Sequence, residues 1–125
     1  MNTRRCQVLL LSAIPQAHDG LLHSLAQCGI TAYAVRGAQE AEGWLSREPE
    51  VVLVDLVHGA GVDSESVETI NRHRGRALVL ALHAGGFGDF LEEVAELNVD
   101  GFCRAGDWRP IAEATPQQHV SLALH

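Results

Sequence analysis

Val51-Val52-Leu53-Val54-Asp55-Leu56 decides the fold: an unbroken apolar run, mostly valine, that ends on a carboxylate. A short continuous run, rather than an alternating one, suits a strand buried on both faces of a parallel sheet. The acid that follows stands at the strand's carboxyl end, where open α/β sheets bind their ligands.

Working outward, three further runs share this character: Val8 to Leu11, Ala77 to Leu82, and a weaker Val99 to Cys103. Ile30 to Val35 alternates imperfectly and makes a fifth. Between them lie segments of helical spacing. Leu21, Leu22 and Leu25 share a face that stops at Gly29, and Ala38, Ala41, Trp44 and Leu45 share another that stops before Pro49. Val67 and Ile70 mark a third helix, with Asp63 or Ser64 as its cap. Phe87, Phe90, Leu91, Val94 and Leu97 mark a fourth, with Glu92, Glu93 and Glu96 on its opposite side. A fifth helix could start at Asp107 with Pro110 in its first turn, and Pro116 interrupts it. Strand and helix therefore alternate along the chain, which predicts right-handed crossovers and a doubly wound sheet.

The chain has 125 residues, enough for one core and too few for two ordinary ones. With 46% apolar and 20% charged residues it has the composition of a globular protein, and we expect a single domain over residues 1–125. No apolar run approaches the ~20 residues of a membrane helix. Met1-Asn2-Thr3-Arg4-Arg5 before Val8–Leu11 has the polarity of a signal peptide. The apolar stretch stops at Ser12, however, short of the roughly 7–15 residues of a signal core, so we expect a cytoplasmic protein. A net charge of −7 argues against direct binding to nucleic acid. Cys6, Cys28 and Cys103 are far apart and odd in number, which predicts reduced, structural thiols. All nine basic residues are arginine.

The strand ends to question are Ser12-Ala13-Ile14, Asp55, Ala81 to His83, and Cys103-Arg104-Ala105. At these residues a resemblance becomes specific. The segment VVLVDL resembles the phosphoacceptor strand of bacterial response-regulator receiver domains, with Asp55 in the acceptor place. ALVLALH, residues 77–83, resembles the fourth strand of receivers from DNA-binding response regulators, and Asp100-Gly101-Phe102 the start of their fifth. The resemblance implies a three-layer α/β/α, flavodoxin-like fold with a five-stranded parallel sheet in the order 2-1-3-4-5. It also implies a non-enzymatic module of signal transduction.

The same resemblance exposes what is missing. Phosphoryl transfer to a carboxylate crowds negative charge, which positioned cations must offset. Receivers use a divalent metal held by an acidic pair, and here that pair's positions carry Ser12 and Ala13. Their hydroxyl after the fourth strand falls on Ala81, and their lysine falls at Arg104 or Ala105. An arginine fork does not replace a compact ammonium. The resemblance therefore implies a pseudo-receiver that binds protein partners without aspartyl phosphorylation, and neither metal nor cofactor is expected. Its partner, or a second copy, would dock on the fourth helix, fifth strand and fifth helix, with Phe102 and Trp108 as candidate anchors. An effector domain could lie beyond the C-terminus.

Two alternatives stay open: an active receiver phosphorylated on Asp55 by a histidine kinase, with Arg104 assisting, and a small-molecule-binding flavodoxin-like module. The second would use the loop Gly85-Gly86-Phe87-Gly88 as an anion cradle, although it follows the wrong strand for a dinucleotide fingerprint. Gln16-Ala17-His18-Asp19-Gly20 is faintly similar to the histidine loop of cobalamin-binding domains but departs from it at Gln16 and Leu21. The seven histidines show no ligand spacing, His18 and His23 being five apart, and are expected to be scattered. Ser12 lacks a G-x-S-x-G elbow, so it does not read as a hydrolase nucleophile.

Overall fold

The computed structural model describes residues 6–57, 63–84 and 96–115. Its strands are β1 (Val8–Leu11), β2 (Ala32–Val35), β3 (Val51–Asp55), β4 (Leu78–His83) and β5 (Gly101–Arg104). They form one parallel sheet in the order β2-β1-β3-β4-β5. The helices are α1 (Asp19–Gln27), α2 (Ala38–Leu45), α3 (Ser64–His73) and a last short helix, Arg109–Ala114. The expected helix over Phe87 to Leu97 lies outside the described residues, apart from its end at Glu96 and Leu97. The Gly85–Gly88 loop, His58 and Pro116 also lie outside them.

Pleating splits the central strands between two cores. Leu9, Leu11, Val52, Val54, Val79 and Ala81 face α2 and α3, through Ala41, Leu45, Val67 and Ile70. Val8, Leu10, Val51, Leu53, Leu80 and Leu82 face α1 and the last helix, through Leu21, Leu25 and Ile111. β1 and β3 are buried on both faces, which is why their sequences run apolar without alternating. Fully burying each such side chain contributes about 1.5–3 kcal/mol, so these two strands anchor the domain.

The helix ends follow local chemistry. Asp63 is the N-cap of α3 and accepts the Ser66 N–H at 2.7 Å. Past α1 the chain turns at Gly29, whose φ of +83° favours a residue without Cβ. Two expectations need correction. Trp108, not Asp107, occupies the N-cap position of the last helix, without a side-chain capping bond, while Asp107 accepts the Arg109 N–H at 3.2 Å from one residue earlier. β5 starts at Gly101 rather than Val99, because Asp100 turns its carboxylate back to accept from Val79 N–H at 2.8 Å and from Arg74.

Candidate functional site

Register assembles the site. Leu11 lies opposite Val54, so Ser12 leaves β1 at the level of Asp55. Both continue the face of Leu10 and Leu53, toward α1. Ser12 Oγ donates to Asp55 Oδ2 at 2.7 Å. His18 Nε2 meets the same oxygen at 2.9 Å, and between an imidazole and a carboxylate the nitrogen carries the hydrogen. Asp55 Oδ1 accepts the Val57 backbone N–H at 2.7 Å. Ser12 Oγ in turn accepts the Ile14 N–H at 3.1 Å. Asp55 and Ser12 are wholly buried and His18 is 6% exposed. Hydrogen bonds from within the fold thus engage both oxygens of Asp55.

His18 is the residue that sequence reasoning missed. It closes a 3-10 turn, Pro15–His18, that leads from β1 into α1. The expectation of scattered imidazoles, at the surface or partly buried, does not describe it, because its ring is buried against Asp55 and helical spacing tests only near neighbours. Its partner is 37 positions away, reached across two strands. The available signal was topological: polar side chains shortly after β1 end beside those that end β3. The inward ring also leaves the faint cobalamin-loop likeness without an outward-facing ligand.

The remaining positions follow the same pleat. Arg104 is exposed and shares the face of Phe102, the α2 and α3 side of β5, away from Asp55. It makes no ion pair with Asp55 among the described residues. Ala105 extends the ladder, its N–H bonding His83 O at 2.7 Å, and continues the Asp55 face with only a methyl group. A one-residue offset thus sends the cation to the opposite face. Ala81 likewise packs into the α2 and α3 core, and it is Leu82 that lies opposite Asp55. Ala13 is half-buried. Phe102 is 44% exposed and meets the His83 ring edge-on at 6.4 Å between centroids. Trp108 is partly buried against the α1-side core.

This donor set does not fit magnesium, which demands oxygen ligands in near-octahedral array. Asp55 is enclosed, one of its oxygens already serves Ser12 and His18, and Ala13 offers no side-chain oxygen. A cleft of about 610 Å³ does exist, but at the other end of the sheet, lined by Pro49, Glu50, Arg76 and Leu78 among others. It has no part in the chemistry around Asp55. Burial pushes the Cys6 thiol up to about 11 and also raises Cys103, the latter helped by Asp107, which disfavours the thiolate at both.

No protein-family model matches the chain, and no curated protein does. Solved structures do. A response regulator from Burkholderia pseudomallei, with a phosphorylated aspartic acid, a calcium ion and citrate, is similar at 15% identity and a TM-score of 0.69, over 95% of this chain and 71% of that one. The signal receiver domain of an HD domain-containing protein from Pseudomonas fluorescens is similar at 18% identity and a TM-score of 0.68, over 97% and 95% of the two chains. A response regulator from Thermotoga maritima is similar at 17% and 0.66, over 89% and 98%. At such identities the likeness is one of architecture, and the architecture of this chain is that of the response-regulator receiver domains.

Proposed function

We propose that this chain is a receiver-like signalling module of the cytoplasm that acts by binding protein, without an aspartyl phosphate and without catalysing a reaction. One observation carries the reading. Asp55, in the acceptor place, is wholly buried and already accepts hydrogen bonds from Ser12, His18 and Val57. A phosphoryl group there would displace internal donors, with no lysine in the chain and, among the described residues, no acidic pair beside it to hold a cation. The surface around Phe102 and Trp108 supplies the contact for a partner or a second copy, and an effector domain in the full protein would receive the signal. A net charge of −7 disfavours nucleic acid as the direct ligand of this domain.

The test is incubation with acetyl phosphate and magnesium, read by intact mass and peptide mapping. The reading expects no phosphoryl adduct on Asp55. A stoichiometric adduct mapped to that residue would overturn it in favour of an active receiver.

A further inference from the structure

We infer that His18 is a built-in plug: its imidazole occupies the place on the Asp55 carboxylate that a divalent cation would need, and the β1-to-α1 connection is the strap that keeps it there. The inference rests on the reading above, and names the group that closes the site.

Ser12 Oγ and His18 Nε2 converge on one oxygen, Asp55 Oδ2, at 2.7 and 2.9 Å. A hard cation would sit roughly 2.0–2.6 Å from a carboxylate oxygen and bring its own shell of oxygens. An N–H held at hydrogen-bonding distance on the same oxygen takes that room. The imidazole offers the carboxylate a hydrogen rather than a lone pair, so in this orientation it caps the acid and cannot share a metal with it.

The strap is stiff and doubly fastened. Both of its ends, Ser12 and His18, bond Asp55. Between them Pro15 fixes one backbone angle, Ala17 N–H bonds Ile14 O at 3.0 Å, and Ile14 N–H bonds Ser12 Oγ at 3.1 Å. His18 immediately precedes α1, whose Leu21 and Leu25 are set in the core, so its backbone cannot drift from the sheet. The side chain is 5% exposed while Asp55 is 0% exposed, which places the ring at the boundary between the acid and its surroundings.

Accessibility of the carboxylate tests this directly. Wild type and His18→Ala are treated with a water-soluble carbodiimide and an amine at neutral pH, and amide formation is mapped by peptide mass. Exposed Asp19 and Asp63 serve as internal references. Removing the plug should raise labelling of Asp55 by about tenfold or more relative to those references, since labelling follows the open population of the site. Far-UV circular dichroism shows whether the variant is folded. If His18→Ala melts below the assay temperature, His18→Asn, whose amide stops short of Asp55, gives the same comparison. His18→Gln, which retains an N–H on a longer arm, should restore part of the protection.

Asp55 labelling that is equally low in wild type and folded variant would overturn the plug while leaving the phosphate-independent reading intact. Equally high labelling in both would overturn it as well. A phosphoryl adduct on wild-type Asp55, by contrast, would defeat the functional reading itself, so the two failures are distinct.

Discussion

Replacing Asp55 with alanine should destabilise this domain, and the sign of that effect separates it from a working phosphoacceptor site. In a cluster of carboxylates each acid repels its neighbours, so deleting one relieves strain and stabilises the fold. Here Asp55 stands among donors instead: the Ser12 hydroxyl, the His18 N–H and the Val57 N–H. Alanine removes the acceptor from all three, two of them buried and the Val57 N–H part-buried, at about 1–3 kcal/mol for each buried donor that loses its partner. Rotation of the Ser12 hydroxyl recovers part of this, so the total is roughly 3–5 kcal/mol of the ~5–15 kcal/mol that a domain possesses. With a urea slope of about 1–3 kcal/mol/M, the unfolding midpoint falls by roughly 2 M. Asp55→Asn keeps one acceptor oxygen and should cost on the order of 1–2 kcal/mol. The assay is equilibrium urea unfolding followed by tryptophan fluorescence and circular dichroism, with the slope compared between variants. An unchanged or raised midpoint for Asp55→Ala would refute the argument, because it would mean that the acid sits in electrostatic conflict rather than in a completed hydrogen-bond network.

Two other perturbations probe the scaffold. Cys6 is buried and its thiol is pushed from the ordinary value of 9.0 up to about 11 by desolvation, with Arg47 opposing. The neutral thiol is therefore favoured in the folded state, and this contribution to stability is fully present below pH 9.0 and is lost as pH rises through about 11. The urea midpoint should fall over that window, and fall less in Cys6→Ala; equal declines would assign the loss to other groups. Arg74 carries bonds to Leu97 O at 3.3 Å, Asn98 O at 3.0 Å and the Asp100 carboxylate, fastening the end of α3 to the entry of β5. Arg74→Ala should cost about 1–3 kcal/mol, and Arg74→Lys should recover little of it, because an ammonium cannot serve several oxygens spread across a planar fork. Full recovery by lysine, read from the same urea midpoints, would contradict the bidentate geometry.

The architecture was legible because burial on both faces leaves an unmistakable mark. The runs at Val8–Leu11 and Val51–Val54 became strands with their limits nearly unchanged, and Asp63 capped α3 as its position before the apolar periodicity suggests. Asp55 was placed at the strand end for the same reason. What the sequence hid was orientation. Whether Arg104 or Ala105 faces Asp55 depends on a single step of pleat, and β5 is too short and too irregular in hydropathy to reveal which residue points which way. His18 was hidden differently: its contact spans the fold, and nothing local distinguishes an imidazole turned inward from one in solvent.

The turn after β1 has one more consequence. Ile14 is 42% exposed, yet its N–H rests on the Ser12 hydroxyl, which rests on Asp55. Linkage between two places in a molecule works equally in both directions. Whatever the acid contributes to shaping this piece of surface, the surface returns to the acid. A contact made at Ile14 is thus one hydroxyl away from the interior, so a touch at this exposed side chain reaches the buried acid through two hydrogen bonds.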